Sequence, residues 1–375
     1  MRVTRLSLRG FRSYEVAEVA FGAGLTVVTG PNGAGKTNLL EALYFGCVGR
    51  SCRTTNEREV VSFGGALARV EVACEDRDGG HELSVGFEPG APKRLSVDGA
   101  AVERLEEVPA RPLVAVFLPD RLELVKGTPS VRRAHLDRFL AALWPARTVT
   151  RRRYARALAQ RNALIGRIRA GGASRDSLPA WDAELARHGM ALMEDRTAAA
   201  AELAPRFAAR AEELGLGVEA TLAYRARSRA PDAEGLAREL AARVDSDVER
   251  GFTGHGPHRD ELALRREGRD LRAYGSQGEQ RLAVLSLLLA ERESIAKLRE
   301  APPLLLLDDV MSELDADRRG RLVELLRAGG GQSVITTTEL SHVPGAECAD
   351  VARLAVRDGV VLGAAAPAAA AAGEA

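Results

Sequence analysis

The stretch that most constrains this chain is Gly30-Pro31-Asn32-Gly33-Ala34-Gly35-Lys36-Thr37. It fits the phosphate-cradle pattern G-x-x-x-x-G-K-[ST] at every position. Leu25-Thr-Val-Val-Thr29 before it reads as a buried strand, and Asn38-Leu-Leu-Glu-Ala-Leu-Tyr44 after it is apolar at helical spacing. A strand feeding a glycine-rich loop and then a helix gives the pattern a mechanism. The glycines let the backbone curl until its N–H groups converge on a polyphosphate, and the new helix adds its positive dipole end. On this reading Gly30, Pro31, Asn32, Gly33, Ala34, Gly35, Lys36, Thr37 and Asn38 bind a nucleotide. Lys36 meets the β- and γ-phosphates of ATP, and the Thr37 hydroxyl suits Mg²⁺. The plain alternative is a glycine-rich turn that opens a helix. Composition speaks against it, because the chain holds four lysines against 49 arginines and still places a lysine at position 36. A compact ammonium does there what a planar guanidinium does not.

At 375 residues the chain is long enough for a sizeable core and two structural units. Its net charge of +1 means that an acidic polymer has to be met by a local patch. Cys47, Cys52, Cys74 and Cys348 show neither metal spacing nor disulfide density, and are expected to be reduced thiols of a cytoplasmic protein. The first residues alternate like a strand and lack the apolar core of a signal peptide. No apolar run approaches the ~20 residues that span a bilayer. The alanine-rich stretch 363–375 is expected to be disordered.

Strands alternate with helices at both ends of the chain, the signature of a parallel sheet, and the middle differs. Residues 1–29 read as strands, and 67–74, 82–87 and 94–97 as an antiparallel patch with a turn at Asp98-Gly99. Residues 113–118 read as one more buried strand. From Ser130, a plausible N-cap for 131–143, to about Val248 the pattern is helical, with long runs at 150–169 and 181–214 separated by Gly171-Gly172 and Pro179. A strand at 219–225 is allowed. Strand 261–265, a helix over 276–299, strand 304–307, a helix over 317–328 and strands at 333–337, 351–356 and 360–362 follow. The expected fold is therefore α/β: an ATPase head built from residues 1–129 and 251–362, with a mostly helical arm at 130–250 inserted between them.

Three further elements accompany the loop. Leu304-Leu-Leu-Leu-Asp308-Asp309 is a hydrophobic strand ending in two carboxylates, as in a Walker B element. Asp308 would hold the Mg²⁺ shell and Asp309 would polarise the attacking water, which makes Lys36, Asp308 and Asp309 the catalytic set and Thr37 with Asp308 the metal set. Ser276-Gln277-Gly278-Glu279 opens a helix. Its plain reading is a capping box, yet Gly278 in a first helical turn is costly and is useful where a phosphate approaches the backbone. Ser276, Gly278 and Glu279 thus form a candidate ATP-binding-cassette signature, and Ser312-Glu-Leu-Asp315 a candidate D-loop.

With these residues in place the chain resembles the RecF family of bacterial recombination-mediator ATPases, relatives of the structural-maintenance-of-chromosomes heads. The resemblance runs to about Leu362. It is carried by Leu6-Ser-Leu-Arg-Gly-Phe-Arg-Ser-Tyr14, Gly49-Arg-Ser-Cys-Arg-Thr54, Leu124-Val-Lys-Gly-Thr-Pro129, Gly256-Pro-His-Arg-Asp-Glu261, Gly275-Ser-Gln-Gly-Glu-Gln-Arg281 and the run through Asp308 to Asp315. It implies an ATP-dependent homodimer that binds double-stranded or gapped DNA, partners RecR and RecO, and helps load RecA at single-strand gaps. Two places depart from the family pattern. Pro119-Asp120-Arg121 replaces the usual Pro-Glu-Asp, and Ile335-Thr-Thr-Thr-Glu339 lacks the switch histidine of many cassette ATPases, with His342 too far along to take its place. The second departure favours slow hydrolysis.

Arg138 to Arg175 holds ten arginines and no Asp or Glu over 38 residues. Its dense part is Arg147, Arg151, Arg152, Arg153 and Arg156, of which Arg151, Arg152 and Arg153 are the candidate contacts to the DNA backbone, set against a solvated face in an arginine-biased chain. His255 and His258, three apart, suggest a metal pair but lack further ligands nearby in sequence; Gly256-Pro257 reads as a turn, and Arg259-Asp260 as structural or near the nucleotide. A transporter-type cassette ATPase and a P-loop kinase are the competing functions. The long helical insertion counts against the first, and the signature and D-loop elements have no purpose in the second.

Overall fold

The computed structural model describes residues 1–105, 108, 111–118 and 122–363; Pro119-Asp120-Arg121 and the alanine-rich stretch beyond 363 lie outside them. The chain opens with β1 (Arg2–Phe11), β2 (Tyr14–Ala20), β3 (Leu25–Thr29) and α1 (Lys36–Val48), then β4 (Ala68–Glu75), β5 (Gly80–Phe87), β6 (Arg94–Val97), β7 (Ala100–Ala101) and β8 (Val114–Phe117). The middle contains α2 (Glu123–Lys126), α3 (Pro129–Leu143), α4 (Thr148–Arg169), α5 (Leu178–Glu213), β9 (Ala220–Arg225), α6 (Ala233–Ala241), α7 (Val244–Arg250), β10 (Glu261–Arg266), β11 (Arg269–Asp270), α8 (Leu271–Tyr274) and α9 (Gln277–Arg299). It closes with β12 (Leu304–Leu307), α10 (Ala316–Ala328), β13 (Ser333–Thr337), β14 (Ala352–Arg357) and β15 (Val360–Gly363). Met1–Arg121 with Ile295–Ala375 forms one compact unit, and Leu122–Ser294 the other. The second unit therefore extends beyond the expected 130–250 on both sides. The cause on the C-terminal side is a strand pair: β9 binds β10 antiparallel, with Leu222 opposite Leu264, which holds residues 261–266 in the inserted unit.

In the first unit, one sheet has the order β15-β14-β3-β13-β12-β8. Every pairing in it is parallel except β14 with β15. Both ends of the chain contribute: Val27 lies opposite Ile335, and Leu306 opposite Val116. β12 and β13 are buried at every position, which is why they read as unbroken apolar or small runs. The other sheet, β2-β1-β4-β5-β6-β7, is antiparallel, so the N-terminal strands join the inserted patch. Helix α1 packs on β1, β4 and β5 on one side and on β8 and β13 on the other. A helix held between two sheets is buried nearly all round. Gly46 makes the approach possible, since a Cβ there would lie 2.4 Å from Val72 Cγ2. The thiols of Cys47 and Cys74 are free and buried in this core, and burial pushes both above the ordinary thiol range.

The second unit departs from expectation at its helix starts. Pro129 occupies the first turn of α3, where its fixed φ suits a helix and its missing N–H costs nothing, so the helix begins after Thr128 and Ser130 is not the cap. Pro179 likewise sits in the first turn of α5 and does not separate it from what precedes. Arg161 on α4 is fully buried. Its Nε donates to Asp182 Oδ1 (2.6 Å), and its Nη1 donates to Asp247 Oδ2 (2.7 Å) and Thr253 Oγ1 (2.8 Å). One guanidinium thus ties α4 to α5, α7 and the segment after it.

His258 is a core histidine. Thr253 O can only accept, so Nε2 donates to it (2.9 Å), and Nδ1 accepts from the Tyr154 hydroxyl (2.7 Å). His255 Nε2 lies 2.5 Å from Glu239 Oε2. Among the described residues no cluster of three or more His, Cys, Asp and Glu side chains is placed to hold a metal ion. Burial pushes His258 down to about 4. The unfolded chain binds a proton near 6.5 that the folded one refuses, so this contribution to stability is present above that pH and is lost as pH falls toward 4. Both tryptophans, Trp144 and Trp181, lie in this unit and report its unfolding. Urea titrations followed by their fluorescence should show wild type losing of order 3 kcal/mol more than His258→Gln between about pH 7 and pH 4. Parallel pH profiles would contradict the neutral, buried ring.

Candidate functional site

The glycine-rich loop leaves β3 and is held from two sides. A Cβ on Gly30 would stand 2.3 Å from Val356 O, and one on Gly35, whose φ is 112°, would stand 2.9 Å from Ser13 Oγ. Both positions exclude any larger residue. The Tyr14 hydroxyl donates to Gly35 O (2.9 Å) and Gly359 N–H to Ala34 O (3.1 Å). Lys36 opens α1 with its side chain turned back along the loop, where Nζ donates to Gly30 O (2.6 Å) and Pro31 O (3.0 Å). Burial lowers its pKa, while Asp309 and Asp308 oppose that shift.

Thr37 and Asp308 meet across 271 residues of sequence, with Thr37 Oγ1 donating to Asp308 Oδ2 (2.8 Å). Thr336, buried on β13, donates to Asp308 Oδ1 (2.7 Å), and its Oγ1 accepts from Asp309 N–H (3.0 Å). Burial raises the Asp308 pKa, and the Thr336 and Thr37 hydroxyls oppose the rise. Asp309 follows in left-handed backbone, φ 48°, and its buried Oδ1 has no hydrogen-bond partner among the described residues. A non-glycine residue in that region beside an unsatisfied carboxylate oxygen is the local strain that gathers at functional positions. A hydroxyl and a carboxylate are hard oxygen donors. They fit Mg²⁺, which binds through one or two carboxylates together with substrate phosphates.

Beneath this pair lies a cluster that motif matching does not reveal. Glu41 on α1 is fully buried and accepts from Arg12 Nε (2.9 Å) and Nη2 (2.8 Å), Ser51 Oγ (2.6 Å) and Arg53 Nη1 (3.1 Å). Arg53 Nη1 also donates to Asn38 Oδ1 (2.9 Å), and Asn38 Nδ2 donates to Ser13 Oγ (3.0 Å). The β1–β2 turn and the loop after α1 are thereby locked to the first turns of α1. The signal available in sequence was a glutamate inside an apolar helical run. For Thr336 it was a buried strand carrying hydroxyls, since polar atoms are kept in cores only where they have partners.

After Asp309, Ser312 Oγ donates to Asp309 O (2.9 Å), and the Asp315 carboxylate caps α10 by accepting from Arg318 N–H (2.9 Å). His342 Nδ1 lies 3.5 Å from Thr337 Oγ1. In the second unit, Ser276 and Glu279 form the reciprocal capping box: Ser276 N–H to Glu279 Oε2 (2.7 Å) and Glu279 N–H to Ser276 Oγ (3.3 Å). The Ser276 N–H bond to its carboxylate holds the Glu279 pKa below its ordinary value. Gly278 is exposed, has no left-handed φ, and would place a Cβ in open space. Among the described residues nothing requires glycine there.

The arginine run is acid-free in sequence but not in space. Arg147 meets Asp195 (3.1 Å) and stacks over Trp144, Arg161 is buried, Arg175 meets Asp245 (2.5 Å), and Arg151 lies 3.9 Å from Asp137. Arg151, Arg152 and Arg153 all remain exposed on the first turns of α4.

The hydroxyl of Thr336 is the joint of the two-carboxylate element. Thr336→Val leaves Asp308 Oδ1 and the Asp309 N–H short of a partner and should destabilise the first unit by about 1–3 kcal/mol, whereas Thr336→Ser, which keeps the hydroxyl, should retain most of the stability. Hydrogen exchange of the β12 and β13 amides measures it, and equal protection in the valine variant would contradict the arrangement.

Residues 2–359 match the family model described as the RecF/RecN/SMC N terminal domain. A protein of Myxococcus xanthus called DNA replication and repair protein RecF is 39% identical over 96% of this chain and 97% of its own length. One of Moorella thermoacetica with the same description is 36% identical over 92% of each. Among solved structures, the recombination mediator protein RecF of the RecFOR pathway superposes with a TM-score of 0.84 in its ATP form (28% identity) and 0.83 in its ATPrS form (29%), each over 97% of this chain and 98% of that one. An Smc head bound to the C-winged helix domain of ScpA shares the fold at a TM-score of 0.56 and 16% identity. By full-length sequence and by structure, the chain belongs to the RecF family of DNA replication and repair proteins.

Proposed function

We propose that the protein is an ATP-switched, DNA-binding protein of recombinational repair and replication, a homodimer with ATP, which helps load RecA at single-strand gaps with RecO and RecR during the SOS response. The observation that carries the ATPase part is the Thr37–Asp308 hydrogen bond beside Lys36. In this reading Lys36 leaves the loop carbonyls for the β- and γ-phosphates, and the loop N–H groups from Gly33 to Asn38 receive the remaining oxygens. Thr37 and Asp308 would hold Mg²⁺, which when bound would supply positive charge to the phosphates. Asp309, with its unpartnered Oδ1, accepts the hydrogen bond of the attacking water. With Thr337 and His342 only loosely paired at the end of β13, hydrolysis is slow and acts as a timer.

The open position of Gly278 supports a ligand that arrives from outside the chain, namely the γ-phosphate held by a second copy. The N–H groups and dipole of α9 gain a charged partner only when ATP is bound, which supplies the differential free energy of a ligand switch. DNA is held through its backbone by the exposed Arg151, Arg152 and Arg153.

Sedimentation with and without ATP tests this reading. Wild type should dimerise with ATP and fall apart with ADP. Lys36→Ala should lose nucleotide binding by calorimetry, Asp309→Asn should remain dimeric, and Ser276→Arg should bind ATP as a monomer. If Ser276→Arg dimerises like wild type, the signature is only a helix cap.

The DNA surface makes a separate prediction. Replacing Arg151, Arg152 and Arg153 together by Glu should weaken duplex binding and flatten the slope of log affinity against log salt by about 0.9 for each phosphate that is no longer neutralised. An unchanged slope would make the patch a solvated helix face.

A further inference from the structure

Helix α3 carries a row of polar side chains that reach in different directions within the second unit. Arg132 forks onto Glu261 (2.6 and 2.9 Å), and Arg133 donates to Asp260 O (2.6 Å). Further along the helix, His135 approaches Glu291 of α9, and Asp137 receives Arg196 of α5 in a fork (2.8 and 3.0 Å) and Arg151 of α4 at 3.9 Å. One side of this row therefore touches the helix that begins at Ser276. The other side touches the helix that presents Arg151, Arg152 and Arg153.

The His135–Glu291 contact is unusual in its own right. Both side chains are more than nine-tenths buried, and His135 Nε2 lies 2.5 Å from Glu291 Oε1. Yet among the described residues neither of those atoms makes a well-directed hydrogen bond, and His135 Nδ1 has no partner. Two buried polar groups that are close but out of line gain energy from a small rotation of one helix against the other. Such a pair favours one of two arrangements of α3 and α9, which is what a coupling element needs.

We propose that His135 and Glu291 are positioning residues that couple the signature end of α9, through α3 and Asp137, to the DNA affinity of α4. This rests on the proposed ATP and DNA reading of those two ends. Engagement of the signature shifts α9, the shift brings His135 and Glu291 into line, and α3 moves with them. Asp137, two residues along α3 from His135, then changes its hold on Arg151 and so changes the charge that α4 offers to phosphates. By linkage, DNA on α4 favours the engaged signature to the same degree.

The test is a coupling measurement on the full-length chain. Duplex DNA affinity is read by fluorescence anisotropy with and without a non-hydrolysable ATP analogue, and analogue affinity is read with and without duplex. The double variant His135→Leu/Glu291→Leu removes both buried polar groups together, the exchange that interiors tolerate best. It should bind analogue alone and DNA alone within about twofold of wild type, while the factor by which each tightens the other falls at least about fivefold. The swap His135→Glu/Glu291→His should restore part of the coupling, which a purely structural role would not do. If the leucine pair fails to fold, as judged by circular dichroism, His135→Gln/Glu291→Gln replaces it with the same expected loss. A well-folded double variant with wild-type coupling overturns the proposal. No coupling in wild type overturns the functional reading beneath it, and this proposal with it.

Discussion

The Thr37–Asp308 hydrogen bond is the contact on which the rest of the arrangement depends. It joins the first turn of α1 to the end of β12 across 271 residues, so it exists only when both ends of the chain have entered one sheet. The chain leaves that sheet after β8 and re-enters it at β12, and these two strands are neighbours. Asp308 N–H even donates to Phe117 O (2.9 Å), binding the exit to the return. An insertion whose ends are already adjacent leaves the sheet undisturbed, because closing its loop costs entropy that grows only slowly with length. A large second unit can therefore sit within the ATPase without disturbing its two carboxylates.

Burial then sets how the carboxylates behave. Asp308 is nearly excluded from water and has two hydroxyls to share its charge, one from each half of the site. Asp309, one residue later, turns into left-handed backbone and keeps an oxygen without a partner. Adjacent residues of the same type thus acquire different environments, one satisfied and buried, the other strained and open to a further donor. Division of labour between neighbouring carboxylates follows from environment and not from residue type.

Much of this was legible in the sequence, for a physical reason. The loop, β12 and the capping box are local: their residues are adjacent, and periodicity or spacing encodes them directly. The strands β12 and β13 have the bounds that composition alone gives. What was not legible is non-local. Nothing in residues 1–20 says that β1 pairs with β4, or that Arg12 reaches Glu41. Ser130 reads as a cap and Pro179 as a separator, whereas Pro129 and Pro179 each lie in a first helical turn, where a missing N–H has no consequence. The hold of β9 on β10 shifted a domain boundary that a change in composition had placed elsewhere.

The arginine bias shows how far composition can carry and where it stops. A run without acids predicts a surface field, but the fold brings acids to it from other elements and uses several arginines as internal forks. Arg161, Arg196 and Arg132 each hold a carboxylate and at least one other oxygen at once, with the planar, multi-donor geometry that a lysine lacks. Lys36, in contrast, touches two loop carbonyls with a single compact ammonium. The two kinds of cation therefore divide by geometry, with planar forks where several oxygens of different elements are joined and a compact ammonium within the glycine-rich loop. The exposed arginines of α4 belong to neither group: they stand at the surface, and Asp137, the acid 3.9 Å from Arg151, is already held in a fork by Arg196.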